Sequence, residues 1–251
     1  MKRFDAEPAI PQDPLPMSVL RRRLLLGTAL AGAGIRSTQA RVEPAALLPT
    51  ARPARVALVL GGGGCRGYGH IGVLRVLEKN GLKPDLVVGS SAGSLVGAVY
   101  AAVATELRSG ELLVLENGDL GLAVQASSSA PGLLEPVRLG ERLLVDGSLS
   151  APVPVVAARR LGAQHVIAVD VSYPPQEADL SDPYDALYQG FSILTRKLAL
   201  EERAGADLVI EPKFPEHNDM TPMTLKKLVE AGERAALEAL PKLRALFARV
   251  E

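Results

Sequence analysis

Apolar residues along this chain follow two rhythms. Short unbroken runs rich in Val, Leu and Ile alternate with longer stretches whose apolar positions recur every three or four residues. The runs suit strands buried on both faces of a parallel sheet, and the longer stretches suit the helices that cover it. Arg55–Leu60, Asp85–Val88, Glu141–Val145, His165–Val171 and Leu208–Ile210 read as strands. Tyr68–Asn80 reads as a helix, with Ile71, Val73, Leu74, Val76 and Leu77 on one side and Asn80-Gly81 closing it. Ala92–Ala102, Leu120–Ser127 (N-cap Asp119), Val153–Leu161, Tyr184–Ala204 and Met223–Val250 are the other helices, and Pro241 is expected to kink or break the last. Ala104–Leu107, Arg108–Gly110 and Glu111–Glu116 read as strand, turn, strand, and Ser128–Pro136 as a loop. The alternation predicts a three-layer α/β/α domain with a mainly parallel central sheet over residues 55–251.

The first 54 residues fall outside this pattern. Met1–Met17 carries four prolines and reads as disordered. Then come Arg21-Arg22-Arg23, twelve apolar or small residues from Leu24 to Ile35, and Ser37-Thr38-Gln39-Ala40. Basic, apolar and small-residue regions in that order make an export signal, and the apolar part is too short to span a bilayer. Adjacent arginines before leucines resemble a twin-arginine signal. Cleavage is expected after Ala40, and the mature protein is expected to be periplasmic or secreted. The competing reading is a disordered basic leader, and Arg36 weakens the export reading by interrupting the apolar stretch. Residues 41–54 form a Pro/Ala linker.

Composition narrows the function. The chain has 251 residues and 28 acidic against 28 basic side chains, so no bulk charge points to nucleic acid. Apolar residues make up 47%, enough for a sizeable core, but aromatics only 4%, so that core is aliphatic. Cys65 is the one cysteine, which excludes an intrachain disulfide. His70, His165 and His217 lie far apart without ligand spacing, and no metal is expected.

Two glycine-rich turns carry the candidate chemistry. Gly62-Gly63-Gly64-Cys65-Arg66-Gly67 follows Val56–Leu60, and Gly89-Ser90-Ser91-Ala92-Gly93 follows Leu86–Val88. The second turn puts Ser91 where a strand turns sharply into a helix, a nucleophile elbow whose cramped geometry demands small neighbours at Gly89, Ala92 and Gly93. A serine hydroxyl barely ionises at neutral pH, so it needs a base and an oxyanion site. The amides of the first turn and of Ala92 are candidates for the oxyanion site. Asp146 is the candidate base: it ends a strand, where ligands bind in parallel sheets, and Gly147-Ser148 follows it. A carboxylate with an ordinary pKa of about 3.9 can serve this way only in a dry pocket. The structural alternatives are a serine capping a tight turn and an ordinary Asp-Gly turn. Arg66 steadies the loop, meets an anionic head group, or is a solvated surface charge. His70 suggests a Ser–His–Asp triad, but its place near a helix start, ahead of an apolar run, favours a capping or core histidine. Gly62-x-Gly64-x-x-Gly67 also fits a dinucleotide fingerprint. That reading loses, because the nearest acid, Asp85, starts the next strand and Gly89-Ser90-Ser91 holds its carboxyl end, so no cofactor is expected.

As a set these motifs resemble those of the patatin-like phospholipases. The flanks agree: His70-Ile71-Gly72-Val73-Leu74, Ala126–Pro136 and Pro152-Val153-Pro154. The resemblance covers roughly Arg55 to Ile210. It implies a patatin-like fold, a Ser–Asp dyad without histidine, lipid acyl-ester hydrolysis of the phospholipase or esterase kind, and no metal. By it Ser91 is the nucleophile, Asp146 the base, and the amides of Gly62, Gly63 and Gly64 with Arg66 the oxyanion loop, while Gly67, Gly89, Gly93, Gly147 and Ser148 complete the motifs. It implies a lipid or phospholipid partner with peripheral membrane contact. The chain departs from the family in three places. Ser148 replaces the usual Gly or Ala, and Ala151 stands where Asn is common. Ser91 and Asp146 are only 55 residues apart, where family members carry a markedly longer insert, so a central piece reads as deleted. Either Val103–Glu106 fills the place of the missing strand, or the sheet keeps unpaired backbone and exposed apolar surface. The second case leads to the alternative function, an inactive relative that binds lipid or a partner.

Overall fold

Every residue of β1 is buried, as a strand covered on both faces requires. In chain order the strands are β1 (Val56–Leu60), β2 (Leu86–Ser90), β3 (Ala101–Glu106), β4 (Leu112–Leu115), β5 (Val137–Leu139), β6 (Arg142–Asp146), β7 (His165–Val169) and β8 (Leu208–Ile210). The helices are α1 (Tyr68–Lys79), α2 (Ala92–Gly97), α3 (Leu120–Ser127), α4 (Val155–Arg160), α5 (Pro183–Arg203) and α6 (Pro222–Phe247). This computed structural model describes residues 56–97, 100–174, 182–215 and 221–249. The expected export signal, the linker and His217 lie outside the described residues.

The sheet runs β5-β6-β3-β2-β1-β7-β8, with β4 also paired to β3. From β3 to β8 neighbouring strands are parallel, and antiparallel pairing is confined to the β3–β4, β3–β6 and β5–β6 ladders. Alternation along β1 sorts its side chains between two layers. Val56, Leu58 and Leu60 pack with Val73, Val76 and Leu77 of α1 and Leu243 and Leu246 of α6. Ala57 and Val59 join Val155, Ala157 and Ala158 of α4 and Ala199 of α5. The expected three-layer, mainly parallel architecture is what the structure shows.

The elements around the shortened segment differ from the expectation. The helix expected over Ala92–Ala102 is described over Ala92–Gly97, and Ala101 and Ala102 open strand β3. Alanine favours helix, but here pairing decides: all six residues of β3 are buried between partners on both edges. β3 therefore fills the gap. It pairs with β2 through Ala101–Val103 and with β6 through Ala104–Glu106, while β4 occupies its opposite edge over Ala102–Thr105. A strand has two edges, so β2 and β6 must share one and meet there end to end. β5 was not expected. The last helix runs on through Pro241 without a break. Leu237, whose carbonyl would have accepted the missing amide, lies on an exposed stretch where water can replace it.

The crossing of α1 and α6 depends on two glycines. A Cβ on Gly232 would overlap the Gly69 carbonyl, and one on Gly72 would overlap the Val229 carbonyl. Gly232→Ala should therefore push the helices apart and cost about 2 kcal/mol, a fall of roughly 5 °C in melting temperature by circular dichroism. An unchanged melting temperature would show that the helices do not cross at this close range.

Candidate active site

The end-to-end meeting of β2 and β6 brings Ser91 to Asp146. Val103 pairs with Ser90 and the next residue, Ala104, pairs with Asp146. Adjacent rungs of one strand thus hold the elbow and the carboxylate. Ser91 Oγ donates to Asp146 Oδ2 at 2.7 Å. The other carboxylate oxygen accepts the Ser148 amide at 2.8 Å. Asp146 is only 4% exposed, and burial raises its pKa above the ordinary carboxylate value. The Ser148 amide and the Ser91 and Ser148 hydroxyls pull the other way. Its backbone is held as well: its amide donates to Ser129 O at 2.9 Å, and its carbonyl accepts Thr105 Oγ1 at 2.9 Å.

Ser91 has φ +49°, the one non-glycine positive φ among the described residues. Such a conformation costs about 1–3 kcal/mol and persists only where its surroundings hold it. Here the Ser91 amide donates to Ser127 Oγ at 2.9 Å. Its carbonyl accepts the Ser94 amide at 2.9 Å, Ser94 Oγ at 2.7 Å and Ser128 Oγ at 3.3 Å. Ser127 and Ser128 escaped the sequence reading. Their one signal was a run of three serines at a helix end.

The first glycine turn lies beside this pair. A Cβ on Gly62 would overlap Ser148 Oγ and come within 3.2 Å of Ser91 Cβ, and one on Gly67 would come within 2.6 Å of Ala92 Cβ. Gly64 takes φ +48°, which glycine adopts without strain. The expected oxyanion set needs two corrections. The Gly62 amide is already used, donating to Pro152 O at 2.8 Å. The Arg66 guanidinium is buried, donates to Ser172 O at 3.2 Å, and lies 4.3 Å from the Tyr173 ring centre and 5.3 Å from that of Phe214. Burial also lowers its pKa. Arg66 is thus an anchor of the loop, the first of the roles considered for it. The amides of Gly63, Gly64 and Ala92 have no hydrogen-bond partner among the described residues. Gly93 and Gly147 seat the two motifs on the sheet: a Cβ on either would overlap a strand carbonyl, that of Leu60 or Val103. Gly89 is buried in β2, paired with Leu60 and Ala102.

The histidines stand apart from the pair. His70 is fully buried, and its Nε2 donates to Gly61 O at 2.8 Å. Burial lowers its pKa to about 4, so the ring is neutral and supports the glycine loop from within the core. His165 Nδ1 lies 3.7 Å from Asp207 at the start of β7, the sheet end opposite Ser91. Among the described residues no group of three His, Cys, Asp or Glu side chains is placed to hold a metal. No helix there is long and apolar enough to cross a membrane.

The fold and the elbow serine define a class, a three-layer α/β protein with a hydroxyl and a carboxylate paired at the carboxyl end of its sheet. Comparison with known proteins shows what the chain is similar to. The family model for patatin-like phospholipase matches residues 58–114 and 103–159. Patatin-like phospholipase domain-containing protein 6 of Mus musculus is 30% identical over 208 positions, covering 57% of this chain and 15% of that protein. Lysophospholipase NTE1 of Debaryomyces hansenii is 27% identical over 202 positions, covering 55% of this chain and 13% of that one. An uncharacterised NTE family protein of Mycobacterium tuberculosis is 29% identical, covering 47% of this chain and 49% of its own length. The chain therefore spans about a seventh of the mouse and yeast relatives and about half of the mycobacterial one. Among solved structures, VipD from Legionella pneumophila shares the fold, with a TM-score of 0.50, 11% identity, and coverage of 76% of this chain and 67% of that one. Over residues 58–159 the chain is thus similar to the patatin-like phospholipases.

The same comparisons bear on the deletion. The two matched pieces overlap over residues 103–114, in β3 and β4, where a shortened middle would bring the halves together. The mouse alignment runs over 208 positions, yet 57% of 251 residues is about 143, so about 65 positions have no counterpart here.

Proposed function

We propose that this chain hydrolyses a lipid acyl ester, with Ser91 as nucleophile and Asp146 as its base. The 2.7 Å contact between Ser91 Oγ and Asp146 Oδ2 carries this reading. A carboxylate whose pKa is raised by burial is a stronger base than one in water, and it stands where the serine proton must go. Asp146 Oδ2 takes the proton as Oγ bonds to the ester carbonyl carbon. The oxyanion is received by the amides of Gly63, Gly64 and Ala92. When the tetrahedral species collapses, the proton on Asp146 goes to the departing alkoxide and leaves an acyl-serine. Water then gives a proton to Asp146, attacks the acyl carbon and releases the fatty acid, and the proton returns to Ser91.

A lipid substrate is supported by the similarity to patatin-like phospholipases and by the surface near the site. Tyr184, Leu187, Tyr188 and Leu194 are exposed along α5, and Tyr188 lies within electrostatic reach of Asp146. Such a stripe suits peripheral contact with a lipid surface. Work outside the cytoplasm belongs to the proposal too, and rests on Arg21–Arg23, Leu24–Ile35 and Ala40 alone. The alternative of an inactive relative drew on the shortened middle segment. Against it, β3 fills the gap and the hydroxyl–carboxylate contact is made.

A fluorophosphonate probe tests the reading, because it labels only an activated hydroxyl. Wild-type protein should take up one adduct, located at Ser91 by peptide mass, and Ser91→Ala should take up none. An unlabelled wild type, or a label elsewhere, would remove Ser91 as nucleophile.

A further inference from the structure

The peptide unit joining Pro152 to Val153 touches the glycine loop on one side and α5 on the other. Its carbonyl accepts the Gly62 amide at 2.8 Å. Its N–H donates to Glu202 Oε2 at 3.2 Å. The same unit packs against Gly61, where a Cβ would lie 3.1 Å from Pro152 O and 3.2 Å from Val153 Cγ2. In Pro152-Val153-Pro154 the two prolines have no amide hydrogen, so Val153 supplies the segment's one backbone donor. Val153 is fully buried, and a donor left unpaired there would be costly.

We infer that Glu202 is a positioning residue of the oxyanion loop, fixing Gly62 through the Pro152–Val153 peptide and so aiming the amides of Gly63 and Gly64. The role rests on the reading of Ser91 as nucleophile and of those amides as its oxyanion donors. Glu202 touches neither substrate nor Ser91. It lies 49 residues from Val153 in sequence, and the reaction steps leave it unused. Burial raises its carboxyl pKa from 4.5 to about 8, opposed only by the Val153 amide. Near neutral pH it is therefore mostly a neutral carboxyl, and its carbonyl oxygen can accept that amide without carrying a charge. A side-chain amide can do the same, which makes Glu202→Gln the conservative variant.

The test compares Glu202→Gln with Glu202→Leu in the full chain. Leucine removes the acceptor, and small misplacements of catalytic groups act on turnover more than on binding. Glu202→Leu should lower kcat for a short-chain ester about tenfold with KM within about twofold, and Glu202→Gln should restore kcat. Amide hydrogen exchange by NMR gives a readout free of activity. Gly62 should exchange about tenfold faster in Glu202→Leu, with Leu58 in β1 unchanged and Glu202→Gln like wild type. Should Glu202→Leu not fold, Glu202→Asp, shorter by one methylene, takes its place. A folded Glu202→Leu with normal kcat and normal Gly62 exchange would overturn the role, as would a Glu202→Gln damaged to the same degree. If wild type proves no faster than Ser91→Ala, the nucleophile reading has failed, and Gly62 exchange still decides whether Glu202 holds the loop.

Discussion

Asp146→Asn should lower kcat on a short-chain chromogenic ester by about 10³- to 10⁴-fold while leaving the fold intact. Asparagine matches the shape of aspartate. Its carbonyl can still accept the Ser148 amide, which Asp146 Oδ1 takes at 2.8 Å. Its amide nitrogen, however, would face Ser91 Oγ and can take no proton from it. Ser91→Ala should fall equally far, and the double variant no further, because the pair acts as one unit. Activity should also carry a sign with pH. The working form of Asp146 is ionised, and burial raises its pKa, so the rate should fall as pH drops through that raised value. Stability should move the other way. A carboxyl whose folded pKa lies above its unfolded one stabilises the fold when protonated, and this contribution is lost as pH rises. Asp146→Asn at neutral pH should therefore melt no lower than wild type. An Asp146→Asn protein within tenfold of wild-type turnover would exclude Asp146 from proton transfer.

Much of this site was legible because the residues that make it are those a cramped turn permits. Gly89-Ser90-Ser91-Ala92-Gly93 shows its tight turn in its smallness, and each β-rich run before a glycine turn became a strand whose carboxyl end carries that turn. What stayed hidden depends on pairing across distance. Ala104–Leu107 reads as a strand, but nothing local in Ala101 and Ala102 favours one over a helix, and their strand state comes from β2 and β4 beside them. The hydrogen-bond donors were hidden for the same reason. Gly62 and Gly63 are the same residue type in one turn, yet one amide is taken by Pro152 and the other has no partner among the described residues. Arg66 could be seen as the only charge in its turn, but its contacts come from residues 172, 173 and 214. Glu202 gave no signal at all, since an acid on an amphipathic helix ordinarily faces water.

The short segment between Ser91 and Asp146 still lets the two side chains meet. β3 gives Ser90 and Asp146 consecutive partners, so the spacing of one strand sets the distance between elbow and carboxylate. A longer segment between these two points would alter the surface around the pair and leave the backbone that aligns it in place. Substrate choice, which depends on that surface, should differ from that of longer relatives more than the chemistry does.

Gly93→Ala should have the largest effect on stability of any single methyl added to the described residues near the site. The new Cβ would overlap the Leu60 carbonyl oxygen and carbon and come within 2.9 Å of Gly61 O. These are backbone atoms of the central strand and of the turn leaving it. Leu60 is held in register with Gly89 of β2 and Val169 of β7, and Gly61 donates to Val169 O at 3.0 Å. Neither wall can retreat without breaking the sheet, so α2 must lift and carry Ser91 with it. The expected cost is ~3 kcal/mol or more, a fall of about 10 °C in melting temperature, and the protein that remains folded should resist fluorophosphonate labelling. Gly190→Ala serves as the contrast. Gly190 lies within α5, and a Cβ there meets nothing within 4 Å, so the same methyl should raise stability by about 0.5–1 kcal/mol through helix propensity. If both variants melt at the wild-type temperature, then α2 does not press on Leu60, and the close seating of the elbow on the sheet is wrong.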